Sequence, residues 1–308
     1  GGYFLSYKPH KLIGYIFIAI AASVWGSFSA VSKILFNNAY FDPLQITQLR
    51  LFISGIIMFL ILFVVNRRSL KINIKSFGEL TLLGLTIILV QIFLFYTIKL
   101  IDVSIASFLQ YLAPAMIFIY SVSFKKEPVK PHDLLALCLA IIGVFFLIAA
   151  NYQHNLNLLG ILTGICTAVA LSIYTIYSKS VVEKYNVWTA LTYGMLSISI
   201  LSLFAYPLPI TIFNNFPFSV TLFILYISLF ATIAPYALFM LGLRFIKPHQ
   251  ASITATLEPV VALLLSCLLS LESLTLTKSI GCLLIISSVF LLQWDSFKPA
   301  QRYFSHFG

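Results

Sequence analysis

The chain has 308 residues, of which 60% are hydrophobic and 9% charged. A soluble globular domain carries about 25% charged residues, so a water-soluble core is excluded. The formal charge of +10 sits mostly at the ends of apolar runs, where it signals topology before it signals a ligand, and nucleic acid is not expected as a partner.

The apolar residues gather into runs of roughly 17 to 27, each long enough to cross the roughly 30 Å hydrocarbon layer at 1.5 Å per residue. Spans are predicted near 12–36, 44–65, 77–98, 103–124, 134–150, 158–178, 187–206, 217–243, 250–270 and 277–294. The stretches between them are too short for a soluble domain. Gly1-Gly2-Tyr3 opens the chain without a signal-peptide layout, so the first run is expected to stay as a helix.

In chain order, the first span carries Trp25 beside Gly26, an aromatic next to a position where a second helix can approach closely. In the second span Arg50 follows Gln45 and Gln48. It can attract a substrate carboxylate, or it can pair with Asp42 or helix-end carbonyls while snorkelling outward; both readings stay open. The third span offers Gln91 and Tyr96. The fourth carries Ser104, Ser107, Gln110 and Tyr111, whose spacings of three and four put them on or beside one helical face. The sixth offers Ser172, Tyr174 and Tyr177, and the eighth Tyr236. Together these side chains suit a cavity around an amphipathic metabolite, although with 28 Phe and 16 Tyr many aromatics must face lipid or core.

In the ninth span Glu258 lies eight residues beyond Gln250, roughly 12 Å into the membrane and close to its middle. An acid at that depth is expensive and normally faces protein, water or a partner. It suits a coupling proton or a substrate ammonium; the alternative is a neutral or paired Glu that joins two helices. Pro259 follows it, Pro114 takes the matching place in the fourth span, and Pro235 lies in the eighth. Proline removes a backbone donor and kinks a helix, which makes these three the hinge candidates.

Cys138, Cys166, Cys267 and Cys282 fall inside predicted helices without a CxxC pair, and His10, His132, His154, His249 and His306 fall at helix ends or in loops. No metal site is expected from that spacing. There is no GxxxxGK[ST] phosphate loop and no HExxH, which argues against nucleotide-driven transport or a zinc hydrolase.

With the N-terminus in the cytoplasm, Lys33, Arg50, Lys99 and Lys278 lie toward the outer face and the other fifteen of the nineteen basic residues lie inward, as the positive-inside tendency requires. Both termini are therefore expected in the cytoplasm. Leu12-Ile13-Gly14 and Ser32-Lys33 recur as Leu158-Leu159-Gly160 and Ser178-Lys179 at an offset of 146, and Lys99, Ala106-Ser107, Pro114 and Glu127 recur as Arg244, Ala251-Ser252, Pro259 and Glu272 at an offset of 145. Each half holds five spans, an odd number, so the second enters the membrane with opposite polarity. The expected fold is an all-α integral membrane protein with ten transmembrane helices in two inverted five-helix repeats, a layout that permits alternating access. The expected segments are a cytoplasmic 1–11, repeats at 12–150 and 158–294, and a cytoplasmic tail at 295–308.

Trp25-Gly26 with Lys33, Pro43 with Arg50, Pro114 with Glu127, and Glu258-Pro259 with Glu272 together resemble the drug/metabolite transporter superfamily, in its ten-helix branch with two EamA-type domains. The resemblance spans 12 to 294. It implies a secondary transporter of the bacterial inner membrane with a central cavity lined by both repeats, in a family composed mostly of exporters of amino acids, their derivatives, purine-like metabolites or toxic amphipathic compounds. The chain departs from the pattern where Lys125-Lys126 flank Glu127, where Leu171-Ser172 replace the Trp-Gly pair, and where Arg50 has no basic counterpart. Such asymmetry suits an asymmetric ligand.

The resulting expectation is an exporter, not an enzyme, of a small amphipathic or zwitterionic metabolite such as an amino acid or related amine. It would need no cofactor, with proton coupling through Glu258 left open, and it would sit among membrane lipids; oligomeric state leaves no trace in the pattern. The competing classes are a non-transporting membrane scaffold and a membrane-embedded enzyme acting on a lipid-linked substrate.

Overall fold

The computed structural model describes residues 9–35, 43–101, 103–126, 128, 130–149, 157–207, 218–269 and 273–297. The helices are α1 (Pro9–Leu35), α2 (Pro43–Val65), α3 (Ile74–Leu100), α4 (Val103–Gln110), α5 (Ala113–Ser123), α6 (Pro131–Ala149), α7 (Leu158–Lys184), α8 (Val187–Ala205), α9 (Phe218–Ser228), α10 (Ala234–Leu243), α11 (Pro248–Ala255), α12 (Leu257–Leu268) and α13 (Leu276–Phe297). Among the described residues nine helical stretches are long and apolar enough to cross a membrane, and a tenth, Pro131–Leu147, is shorter. In hydrocarbon no water satisfies backbone groups, so the helix, which closes its hydrogen bonds on itself, is the form available to such sequences. Asparagines start three of the helices from the polar edge: Asn73, Asn157 and Asn186 accept from the backbone N–H of Ser76, Leu159 and Trp188 at 2.7, 2.9 and 2.9 Å.

Among the described residues three spans are discontinuous, each just before a proline. In the fourth, α4 and α5 meet at Tyr111-Leu112 ahead of Pro114; in the ninth, α11 and α12 meet at Thr256 ahead of Pro259. Without a ring N–H, each proline leaves the carbonyl four residues earlier, on Gln110 or Ala255, without its usual partner. The chain tightens there into bonds spanning three residues, Leu112 N–H to the Leu109 carbonyl and Thr256 N–H to the Ile253 carbonyl, both 3.1 Å. In the eighth span the discontinuity is a π turn, Leu229–Ile233, in which Ala234 N–H donates to Leu229 five residues back, and Pro235 follows at once. All three hinge candidates thus stand at helix breaks.

The most extensive helix pairings all join one repeat to the other. α3 against α7 is matched by α1 against α10, and α1 against α12 by α7 against α4 and α5. The second span pairs with the seventh and the fifth with the tenth, each the equivalent of its own partner. Exchanging the halves therefore maps the packing onto itself. Each repeat buries its inner faces on the other, so neither owns a core that could stand alone, while side chains such as Val64 and Phe204 remain 83% and 82% exposed on the lipid-facing surface.

Several helix crossings depend on glycine, the tightest being Gly84 of α3, whose added Cβ would lie 2.0 Å from the Gly194 carbonyl oxygen of α8, and one of them bears on the candidate residues. A Cβ added to Gly26 in α1 would lie 2.4 Å from the Glu258 carbonyl oxygen and 3.0 Å from the Ala262 nitrogen of α12. The equivalent residue in the second repeat is Ser172, which is accommodated with its hydroxyl 3.4 Å from the Ala113 carbonyl oxygen. The first half needs glycine where the second takes serine.

Candidate functional site

The α1–α12 crossing fixes two candidates at once, because Trp25 precedes the glycine and Glu258 supplies the carbonyl it touches. Trp25 meets Tyr236 of α10 edge to face, with ring centroids 5.3 Å apart and planes at 82°. Tyr174 of α7 approaches the same Tyr236 ring edge to face at 5.8 Å and stacks on Phe239 at 5.9 Å. Gln91 of α3 donates from Nε2 to the Tyr236 hydroxyl at 3.5 Å. Edge-to-face contacts of this sort hold rings in fixed orientations, and here they knit together four spans drawn from both repeats.

Gln91 and Tyr236 are 145 residues apart, the offset that relates the two halves. They are equivalent positions of the third and eighth spans in direct contact, so they lie on the pseudo-two-fold axis. A contact between a residue and its own equivalent survives exchange of the halves; contacts off the axis must trade places. The cluster is therefore built around the pseudo-two-fold axis of the fold.

Charged groups flank this aromatic centre. Arg50 of α2 is 8% exposed, and its Nε has no hydrogen-bond partner among the described residues. Its guanidinium and the Glu258 carboxyl both lie within electrostatic reach of Tyr236. The Glu258 carboxyl and the Tyr111 hydroxyl, the latter at the break of the opposite fourth span, lie close enough to interact. Two helix interruptions thus bring a tyrosine and an acid face to face. A buried cation and a half-buried acid, each within reach of Tyr236 in a cluster of three aromatic rings, can receive a small ligand that carries both charges.

Seven of the eleven candidates, Trp25, Arg50, Gln91, Tyr111, Tyr174, Tyr236 and Glu258, are brought together in this way. Tyr96 is not. It is 48% exposed with the Lys99 ammonium 5.9 Å over its ring, because five residues beyond Gln91 turn it about 140° around α3. Tyr177 instead donates to the Glu79 carbonyl at 3.0 Å, in a network where Tyr185 donates to the Glu79 carboxylate at 2.9 Å and Lys184 holds it at 3.3 Å. Ser107 and Gln110 are half-buried on α4, with no described hydrogen bond linking their side chains to the cluster. Asp42, Glu127 and Glu272, and the side chains of Lys33, Pro43 and Ser104, lie outside the described residues, as do residues 1–8 and 298–308.

Two participants escaped the sequence reading. Phe239 follows Tyr236 by three residues and shares its face, but it is one of 28 phenylalanines and carries no mark of its own. Ser178 lies one turn beyond Tyr174, and among the described residues neither hydroxyl has a hydrogen bond of ordinary geometry. Buried hydroxyls normally find partners, so this pair stands ready for an additional one.

Comparison with known proteins agrees with this architecture. The chain is 26% identical over 295 residues to an uncharacterized inner membrane transporter, YicL, of Salmonella typhimurium, covering 94% of this chain and 97% of that one. It is 28% identical to an uncharacterized transporter of Archaeoglobus fulgidus, covering 90% and 94%. A crystal structure 17% identical in sequence superposes with a TM-score of 0.74 over 96% of this chain and 100% of its own, and so shares the fold. Residues 12–149 and 158–294 each match the EamA-like transporter family, so that two copies of its domain account for nearly the whole chain, which belongs to that family.

Proposed function

We propose that the chain is a secondary transporter that exports a small zwitterionic metabolite, an amino acid or a related amine, across the bacterial inner membrane by alternating access. The observation that carries this reading is the central cluster, in which Arg50 and Glu258 flank Trp25, Tyr174 and Tyr236 around the pseudo-two-fold axis. Arg50 offers its guanidinium to a carboxylate. Glu258 accepts the ammonium or, in its absence, the proton that couples transport to a gradient. The rings cover the apolar part of the ligand and exclude water, which strengthens both charged contacts. Family membership and the similarity to proteins named as transporters support the same class.

The packing supports alternation. Because the repeats share one core and their contacts are exchangeable, one half can adopt the other's packing while Gln91 and Tyr236 stay together. The breaks at Pro114, Pro235 and Pro259 supply the places where a span can bend. The positive-inside distribution favours both termini in the cytoplasm.

The test is flux in sealed proteoliposomes loaded with radiolabelled amino acids or monoamines, preceded by a thermal-shift screen, since a bound ligand raises apparent stability with occupancy. Saturable flux of one of these compounds, lost in Arg50→Ala, is expected. Flux absent for every zwitterion and amine, with the protein folded and correctly inserted, overturns the substrate class.

A further inference from the structure

A second feature lies on the opposite side of α10 from the cluster. α8 and the eighth span enclose a groove of about 430 Å3, lined by apolar side chains that include Trp188, Leu229, Phe230, Ala234, Ala237 and Leu241. Its volume falls within the range of small-molecule pockets, roughly 300–1,000 Å3, but it offers no polar group to orient such a molecule. From Leu229 to Leu241 is about 18 Å along a helix at 1.5 Å per residue, close to the roughly 15 Å depth of one leaflet. Trp188 stands at the start of α8 and Leu241 near the end of α10, so both mark the same membrane surface, the cytoplasmic one by charge distribution, and Leu229 reaches toward the middle.

The groove has a local cause. The π turn Leu229–Ile233 inserts an extra residue into the eighth span, and Ala234 and Ala237 present only methyl groups after it. At its surface end stands Arg244, the exposed cap of α10, whose Nη2 donates to the Tyr185 carbonyl at 3.3 Å, three residues before Trp188. Among the described residues, the carboxylates of this end are already matched, Glu79 by Lys184 at 3.3 Å and Glu183 by Lys179 at 3.2 Å. Arg244 is left with a single described hydrogen bond, to a neutral carbonyl, and a guanidinium carries five N–H donors.

We propose that this groove is a binding site for one anionic phospholipid of the cytoplasmic leaflet, with an acyl chain between α8 and the π turn and its phosphate on Arg244. The described lining of the groove is apolar along one leaflet's depth, and Arg244 stands one turn beyond Leu241 at its surface end, which is the pattern of a lipid tail and an anionic headgroup. The site is distinct from the central cluster, so its ligand does not compete with a transported solute.

The purified full chain in detergent is titrated with dioleoyl-phosphatidylglycerol and with dioleoyl-phosphatidylcholine, which share their chains and differ in charge, and bound lipid is counted by native mass spectrometry alongside thermal unfolding. One phosphatidylglycerol is expected to be retained in preference to phosphatidylcholine and to raise the unfolding temperature, while glycerol phosphate, which lacks chains, does neither. Arg244→Gln should weaken the preference about fivefold, the ratio that corresponds to about 1 kcal/mol per basic residue at a membrane surface. Ala234→Phe should fill the groove and abolish retention of both lipids. Equal retention of the two lipids by the unaltered protein, or undiminished phosphatidylglycerol binding in Ala234→Phe, overturns the proposal. Should Ala234→Phe not fold, an Arg244→Gln protein with unchanged preference overturns it equally.

Discussion

Replacing Gly26 by Ala places a methyl carbon 2.4 Å from the Glu258 carbonyl oxygen and 3.0 Å from the Ala262 nitrogen. Both obstacles are backbone atoms of α12, which cannot swing aside as a side chain would. Overpacking a close-packed site costs about 1–3 kcal/mol, and a rigid backbone obstacle puts this substitution at the upper end, about 3 kcal/mol. At roughly 2 °C per kcal/mol for a chain of this size, the unfolding temperature in detergent should fall by about 6 °C. Gly78→Ala is the control: no atom lies within 4 Å of its added Cβ, and a helical Gly→Ala change gains about 0.5–1 kcal/mol, so that variant should match or exceed the unaltered protein. The relief available to Gly26→Ala is for α1 to slide off α12, which carries Trp25 away from Tyr236 and should lower ligand affinity as well. Ser172→Gly, at the equivalent crossing, should be mild because Ser172 already fits. Thermal unfolding followed by the loss of monodisperse protein measures all three. A Gly26→Ala protein within about 1 °C of the unaltered chain and with unchanged affinity would refute the close crossing and its link to the site.

Trp25→Ala should weaken ligand affinity by about 1 kcal/mol or more, whereas Tyr96→Ala, whose ring lies away from the cluster, should leave affinity unchanged; equal effects in a binding titration would dissolve that distinction. Glu258→Gln should fold yet lose pH-gradient-driven accumulation while retaining substrate exchange if the acid carries a coupling proton; if it receives an ammonium, both should fail and affinity should drop by about 1.5–3 kcal/mol. Normal driven flux between about pH 5 and 8 in that variant would leave Glu258 a helix-joining residue beside Pro259. In a cysteine-free background, single cysteines at Asn73 and Lys126 should resist an impermeant thiol reagent added outside intact cells, while those at Asn38, Gln153 and Asn214 should react; the reverse pattern would invert the orientation.

The membrane class, the spans and the two repeats follow from the amino-acid sequence alone, because hydrocarbon imposes one length and one backbone solution on every crossing segment. The breaks before Pro114 and Pro259 were legible for a similar reason: a missing N–H acts within one turn, whatever packs around it. Arg50 and Glu258 also announced themselves, since a charge inside a span is costly enough to need a cause. What the sequence left undecided is which neutral residues join them. Tyr96 and Tyr174 look alike as letters, and their fates differ because a helix rotates about 100° per residue and only the partner helix decides which face is inward. The pairing of Gln91 with Tyr236, the stacking of Phe239 and the displacement of Tyr177 to Glu79 each depend on contacts between residues at least 65 positions apart. Gly26 shows the division most plainly. Its type was visible in the chain and suggested a close approach, but the carbonyl it admits belongs to Glu258, and only the crossing of α1 over α12 brings the glycine, the tryptophan and the acid into one cluster.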